Sequence, residues 1–459
     1  MATALKAPAY RDSPAPNYQD IIAEDLVLAP AIFREYSETD IPVDTVSRDE
    51  YRSPAFADQE REHMWPRVWQ MACREEQIPE AGDVVVYESP GASLLVVRTD
   101  ADEIRAYYNS CLHRGMKLCA HDTSVSKLAC PFHGFTWNLD GSLAYVPARW
   151  DFPNMRDDKM ALPQAKVGRW GGFVFISRAE NPPPLKEYLG HLVPHFEDWP
   201  FDKFYLATTI RKPMDANWKI SVEAFLEAYH LAGVHAQALP FSGDASTQYD
   251  VWPDDPHVSR FLEPTGIMSD QYPRELSEQE ILDSVMQVIF GAGESVPLPE
   301  GGKARHFLAA GMREEMAKVT GADYSQLSDT EAGDAIQYFL FPNIVIFRSL
   351  PYPFVYRVLP HRTDPNKCMF EFMVFRPRLD DAAPPEAQVV ELGDEGTFAG
   401  SGVLPPWQGE IYDQDVQGLR QCQEGMRDGG DAPLIFSRYQ EVRIRHLHQT
   451  LHRYLEGDL

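Results

Sequence analysis

Short apolar runs broken by turn formers mark the first part of the chain, and longer segments of mixed period mark the rest. Val84-Val85-Val86-Tyr87 and Ser93-Leu94-Leu95-Val96-Val97 read as strands, with a reversal at Ser89-Pro90-Gly91 between them. Ala144-Tyr145-Val146 and Gly172-Phe173-Val174-Phe175-Ile176 add two more, so residues 46–175 are expected to form an antiparallel β domain. A helical tendency over 51–69 precedes these strands, and a Pro-containing arm of weak pattern occupies 1–45. Asn181-Pro182-Pro183-Pro184 signals a linker into a second domain, 176–459. There the pattern predicts helices over 214–235, 277–290, 409–422 and 435–455, and strands over 343–347, 354–359 and 368–375, with an irregular Pro-, Gly- and Asp-rich span at 240–302. Strands beside segregated helices imply an α+β fold, not a doubly wound parallel sheet.

At 459 residues, 44% of them hydrophobic and 24% charged, the chain can bury two sizeable cores as an ordinary soluble protein. No apolar run reaches the length of a membrane span, and residues 1–17 lack the apolar core of a signal peptide. Six irregularly spaced cysteines make no disulfide framework, so the expectation is a reducing, cytoplasmic setting. A net charge of -27 argues against nucleic acid or an anionic membrane as partner.

Cys111-Leu112-His113 and Cys130-Pro131-Phe132-His133 stand sixteen residues apart. Zinc ribbons usually place sulfurs in Cys-x2-Cys pairs, whereas each loop here supplies one thiolate and one imidazole. That division suits a two-iron, two-sulfide centre, with both sulfurs on one iron and both imidazoles on the other; a Cys2His2 zinc site is the competing use of the same four residues. Gly115, Pro131 and Gly134 are turn residues that let backbone N–H groups point at the sulfurs. Cys119 and His121, between the pairs, read as ordinary loop residues. Arg114, Lys117 and Lys127 beside the loops either form a basic rim for an acidic electron donor or are solvated loop charges.

Glu227, His230 and His235 form a second grouping. Glu227 and His230 share a helical face. His235 lies about 140° round an ideal helix from His230, so the imidazoles converge only if the helix deforms, for which Gly233 offers a place. Two imidazoles and a distant carboxylate would make a facial triad with three open positions on Fe(II).

Asn109-Ser110-Cys111-Leu112-His113-Arg114-Gly115 and Cys130-Pro131-Phe132-His133-Gly134-Phe135 resemble the cluster loops of Rieske proteins, and Asn217-Trp218-Lys219 followed by Glu227-Ala228-Tyr229-His230 and His235 resembles the catalytic helix of the Rieske non-haem iron oxygenases, the α subunits of aromatic ring-hydroxylating oxygenases. The resemblance spans nearly the whole chain. It implies a Rieske [2Fe-2S] domain followed by a helix-grip-like catalytic domain that holds mononuclear Fe(II). The third iron ligand in that family is an Asp eight residues before a Gln-x-Gly, which here is Gln423-Glu424-Gly425 and gives Asp415, with Asp413 as competitor.

The resemblance further implies an oxygenase component that takes electrons from a ferredoxin or flavin reductase and uses O2 to hydroxylate an organic, aromatic substrate. It implies a homotrimer, or an α3β3 assembly with a small β subunit, in which the carboxylate of Glu227 bridges His230 to His133 of a neighbouring copy. Dioxygenases of this family usually carry Asp at that bridge, and Glu is found in members acting on quaternary amines, so a monooxygenase or demethylase of a quaternary amine, methoxy or N-methyl compound is the alternative. In 236–340, Phe241, Trp252, Phe261, Met268, Met286, Phe290 and Phe307 either roof an apolar cavity or belong to the core. Arg260, Arg305 and His306 either anchor a substrate carboxylate or sit in solvent.

Overall fold

A computed structural model describes residues 11, 13–37, 39–199, 201–291, 295–380 and 382–459, without the side chains of residues 202 and 290. Residues 1–10, 12 and 38 of the 1–45 arm and the side chain of the roof residue Phe290 therefore lie outside the described residues. The chain divides into two compact units: residues 58–188 with 384–387, and residues 1–57, 189–383 and 388–459. Among the described residues, no helix is long and apolar enough to cross a membrane.

The smaller unit is built on a seven-stranded sheet whose paired strands all run antiparallel, in the order Gln70–Arg74, Phe173–Ser177, Gln164–Trp170, Glu103–Tyr108, Ala92–Asp100, Asp83–Ser89 and Thr123–Ser124. A second sheet of three short strands, Leu128–Ala129, Thr136–Trp137 and Leu143–Tyr145, holds the second Cys–His loop. Leu95, Val97, Tyr107 and Trp137 form its core together with Cys111 and Cys130. The Asp140-Gly141 reversal needs its glycine twice over: φ is +82°, and a Cβ would meet the Tyr107 ring at 2.5 Å.

The larger unit carries an eight-stranded sheet in the order Gln248–Trp252, Asp255–Glu263, Ala335–Leu340, Ile344–Phe347, Phe354–Pro360, Cys368–Pro377, Phe204–Met214 and Gln388–Glu391. Every pairing is antiparallel except the last. Its central strands Ala335–Leu340 and Ile344–Phe347 are buried at every position, because both faces are covered. With the helices packed against this sheet, the fold is α+β as expected.

Four helices frame the site: α1 (Trp218–Glu223), α2 (Leu231–Val234), α3 (Pro406–Asp428) and α4 (Val442–Glu456). The single helix expected over 214–235 is thus a strand end followed by α1 and α2, and the break falls before His230, not at Gly233. The cause is local competition for backbone groups. The Ala228 amide donates to the Tyr249 hydroxyl (3.0 Å), the His230 amide to Glu227 Oε2 (2.9 Å), and the Leu226 carbonyl accepts from Arg443 Nη1 (3.2 Å). The 226-to-230 helical bond loses both of its partners to side chains. The irregular span expected at 240–302 contains the strands Gln248–Trp252 and Asp255–Glu263, and the helix expected over 435–455 starts only at Val442, after a short strand Leu434–Ile435 paired with Thr45–Val46.

Candidate metal centres

The two loops of the smaller unit are hydrogen-bonded alike. Cys111 N–H donates to the Met116 carbonyl (2.8 Å) and Gly115 N–H to the Cys111 carbonyl (2.9 Å); Cys130 N–H donates to Phe135 (2.8 Å) and Gly134 N–H to Cys130 (3.0 Å). Gly115 and Gly134, at φ +75° and +76°, close each loop at the same step. Both cysteines are buried, and their sulfurs lie close enough to interact; burial pushes the Cys111 thiol up. The His113 amide lies 3.5 Å from Cys111 Sγ, a donor aimed at sulfur. The His113 and His133 rings stand 4.8 Å apart, with Phe135 stacked on His113 at 4.7 Å.

His113 Nδ1 is buried without a hydrogen-bond partner, which is how a ligand nitrogen looks when only protein atoms are counted. No three of Cys111, His113, Cys130 and His133 bring their donor atoms within 4.8 Å of one another. A tetrahedral zinc ion would draw them that close, whereas a two-iron cluster spreads them. The residues present fit the cluster. Cys119 is held apart by Asn109, which bonds both its amide and its carbonyl, and His121 is exposed. The expected basic rim is partly neutralised: Lys117 pairs with Glu88 (2.6 Å) and the Arg114 guanidinium lies over the Phe132 ring.

In the larger unit the interruption of the helix between α1 and α2 swings His230 towards His235, and α3 brings Asp415 to both. Asp415 Oδ1 lies 2.9 Å from His235 Nε2 and 3.7 Å from His230 Nε2, and the two rings are 5.2 Å apart. The outer nitrogens are taken: His230 Nδ1 is 2.8 Å from Glu227 Oε1, and His235 Nδ1 is 2.8 Å from Gln414 Oε1. Gln237 Nε2 also donates to Gln414 Oε1, and with the amides so oriented the imidazole Nδ1 is the donor. Both Nε2 atoms therefore face Asp415 and become lone-pair donors where a metal displaces their protons. Burial alone would lower the His230 pKa, but Glu227 and then Asp415 outweigh it and hold it near 9, so the site's field favours a positive charge. Asp413 points elsewhere, accepting from the amides of Phe398 and Ala399. Gln423 ties the site together by accepting the Asn217 amide (2.7 Å) at the start of α1.

The triad and Glu227 open on a cavity of about 190 Å³ walled by Phe225, Phe241, Phe261, Phe347, Trp407 and Tyr412. Of the expected roof residues whose side chains are described, only Phe241 and Phe261 reach it: Trp252 stacks on His191, and Met268, Met286 and Phe307 pack into the apolar cluster behind Phe241. Arg260 and Arg305 do not line it either. Arg260 is buried against Asp250 and Arg305 against Asp25 and Asp334, and His306 lies near Asp329. The cavity polar residues Glu263, Thr265 and Tyr352 were not anticipated; nothing in their spacing distinguishes them from strand-end residues. A second donor group, Glu50, His448 and His452, is an ion-pair network: His448 bonds Glu50 and Glu223, and burial, which would discharge it, is outweighed by those carboxylates.

A cysteine–histidine cluster domain joined to an α+β domain with a two-His-one-carboxylate triad defines a two-centre redox protein. Residues 195–457 match the ring hydroxylating alpha subunit catalytic domain and residues 68–156 match the Rieske [2Fe-2S] domain, so the chain belongs to the ring-hydroxylating alpha-subunit family of Rieske oxygenases. It is 33% identical over 196 residues to the glycine betaine monooxygenase oxygenase subunit of Pseudomonas aeruginosa, covering 40% of this chain and 44% of that protein. It is 32% identical over 190 residues to the biphenyl 2,3-dioxygenase subunit alpha of Rhodococcus jostii, covering 40% of this chain and 41% of that protein. These matches span less than half the length of the curated relatives. The fold is shared with a quaternary ammonium Rieske monooxygenase bound to L-carnitine (TM-score 0.63, 15% identity, 90% of this chain and 96% of that one). It is also shared with naphthalene 1,2-dioxygenase from Rhodococcus sp. bound to indole (TM-score 0.61, 20% identity, 90% and 95%).

Proposed function

We propose that this protein is the oxygenase component of a cytoplasmic two-protein or three-protein system that hydroxylates an organic substrate. The observation that carries the reading is the triad itself: two imidazoles with their outer nitrogens already donated and their inner ones converging on Asp415, at the wall of an aromatic cavity. In this reading Cys111 and Cys130 hold one iron of the [2Fe-2S] cluster, His113 and His133 the other, and His230, His235 and Asp415 hold mononuclear Fe(II). When bound, the cluster supplies single electrons and the lone iron supplies O2 activation. The chain's own work is positional. Glu227 fixes the His230 ring and keeps it electron-rich, Gln414 does the same for His235, and the aromatic walls exclude water around the reacting carbon.

The electron donor is a ferredoxin or flavin reductase, and the assembly is a homotrimer, with or without a small β subunit, in which Glu227 also meets the cluster imidazole of a neighbouring copy. Between the two outcomes, Glu227 and the named activities of the glycine betaine and carnitine relatives favour insertion of one oxygen into a C–H bond of an alkylated amine. The carbinolamine formed beside nitrogen then collapses to an aldehyde and a shorter amine. Ring dihydroxylation of an aromatic compound is the second reading, supported by the ring-lined cavity and the biphenyl relative. Turnover under ¹⁸O₂ with mass analysis of the product separates them. One labelled oxygen is expected in the aldehyde, captured by reduction to the alcohol as it forms because an aldehyde exchanges its oxygen with water; two labelled oxygens in a cis-diol would establish the second reading, and unlabelled trapped product would overturn both.

A further inference from the structure

Beyond the triad and Glu227, the cavity lining includes one more carboxylate, Glu263, at the end of strand Asp255–Glu263. It lies deep in the domain yet keeps part of its surface uncovered, as do Ser242, Thr265 and Tyr352, so these open surfaces face the cavity. A β-bridge between Ser242 and Thr265 gathers them on one wall. Ser242 Oγ donates to Glu263 Oε1, and the Tyr352 hydroxyl is bonded to Thr265. Among the described residues that line the cavity there is no Lys or Arg. Burial pushes the Glu263 carboxyl up to about 7, against the Ser242 hydrogen bond and the charge of His230. The positive charge nearest in its field is the His230 ring of the triad, and among the described residues Glu263 makes no ion pair of its own. The neighbouring rings of Phe261, Phe347 and Tyr356 present π faces suited to the methyl shell of an alkylated ammonium.

We propose that Glu263, with Ser242, Thr265 and Tyr352, recognises a cationic alkylated-amine head group, and that the substrate carries no carboxylate, because the described lining has no Lys or Arg and its charged imidazole, His230, is committed to the triad. This deepens the oxygenase reading and rests on it in one respect, that this cavity is where substrate meets the triad. It also separates the protein from the relatives named for glycine betaine and carnitine, compounds that each join a quaternary ammonium to a carboxylate, though not from the one named for choline.

The test is calorimetric binding to the anaerobic, cluster- and iron-loaded protein, using benzyltrimethylammonium, its neutral isostere neopentylbenzene, and the 4-carboxylated cation. Wild type binds the cation about tenfold more tightly than the isostere and about tenfold more tightly than the carboxylated form. In Glu263→Gln the preference for the cation over the isostere collapses to within about twofold, with isostere binding held, whereas Ser242→Ala, which keeps the charge, retains most of it. Equal binding of cation and isostere by wild type, a cation preference untouched in Glu263→Gln, or a carboxylated form bound as tightly as its parent would overturn the proposal. Should Glu263→Gln not fold, the three wild-type affinities alone decide. Correct preferences without ¹⁸O incorporation would defeat the oxygenase reading and leave the recognition site standing; the converse result would defeat the site alone.

Discussion

Asp415→Ala removes the mononuclear iron and leaves the cluster in place. Iron falls from about three to about two per chain while sulfide stays at about two, and product formation drops by roughly a thousandfold, or about 4 kcal/mol. The reason is geometric. His230 and His235 converge on one carboxylate oxygen, and with alanine there the two Nε2 atoms face each other with no anion to balance a divalent cation. Asp413→Ala is the matched control on the same helix. It uncaps the amides of Phe398 and Ala399 and costs about 1 kcal/mol of stability, with iron content unchanged. Metal and sulfide analysis of both variants checks the pair, and equal iron loss in the two would contradict the assignment.

The second large effect is expected at Glu227. Its two oxygens serve different atoms of His230, Oε1 the ring Nδ1 and Oε2 the backbone amide. Glutamine can keep one of these bonds but turns an N–H towards one of the donors and removes the charge that makes the imidazole electron-rich. Glu227→Gln should therefore retain most of its iron and all of its cluster yet turn over about a hundredfold more slowly. Stopped-flow oxidation of the pre-reduced cluster in the presence of substrate, followed beside oxygen uptake, resolves the step. Wild-type rates with full coupling in that variant would remove Glu227 from the path between the centres.

The cluster site was legible in the sequence because it is local: two loops, each closed by its own backbone bonds between a cysteine and a glycine four residues on. The triad was half legible. The spacing of His230 and His235 demanded a deformed helix, but its cause, backbone groups captured by Glu227 nearby and by Tyr249 and Arg443 far along the chain, is one that no periodicity reveals. Asp415 came from a resemblance, and its separation from Asp413 needed the amides that Asp413 caps. The strand Phe204–Met214 was hidden by Arg211-Lys212-Pro213, an unlikely strand end until one sees Lys212 buried with its ammonium on the carbonyls of Gly393, Asp394 and Gly396. The cavity was least legible. Its walls come from strand ends and from α3, so the aromatic-rich span at 236–340 supplied only part of it, and its arginines proved to be internal ion pairs.

The claim beneath all of this is that one chain holds a sulfide-bridged pair of irons and, separately, a single iron. Iron and acid-labile sulfide counted per chain in anaerobically reconstituted protein, with the electron paramagnetic resonance spectrum of the dithionite-reduced form, tests it most directly. About three irons, about two sulfides and the anisotropic signal of a reduced mixed-ligand cluster are expected. Protein that takes up zinc in place of iron, contains no sulfide and shows no such signal would contradict it.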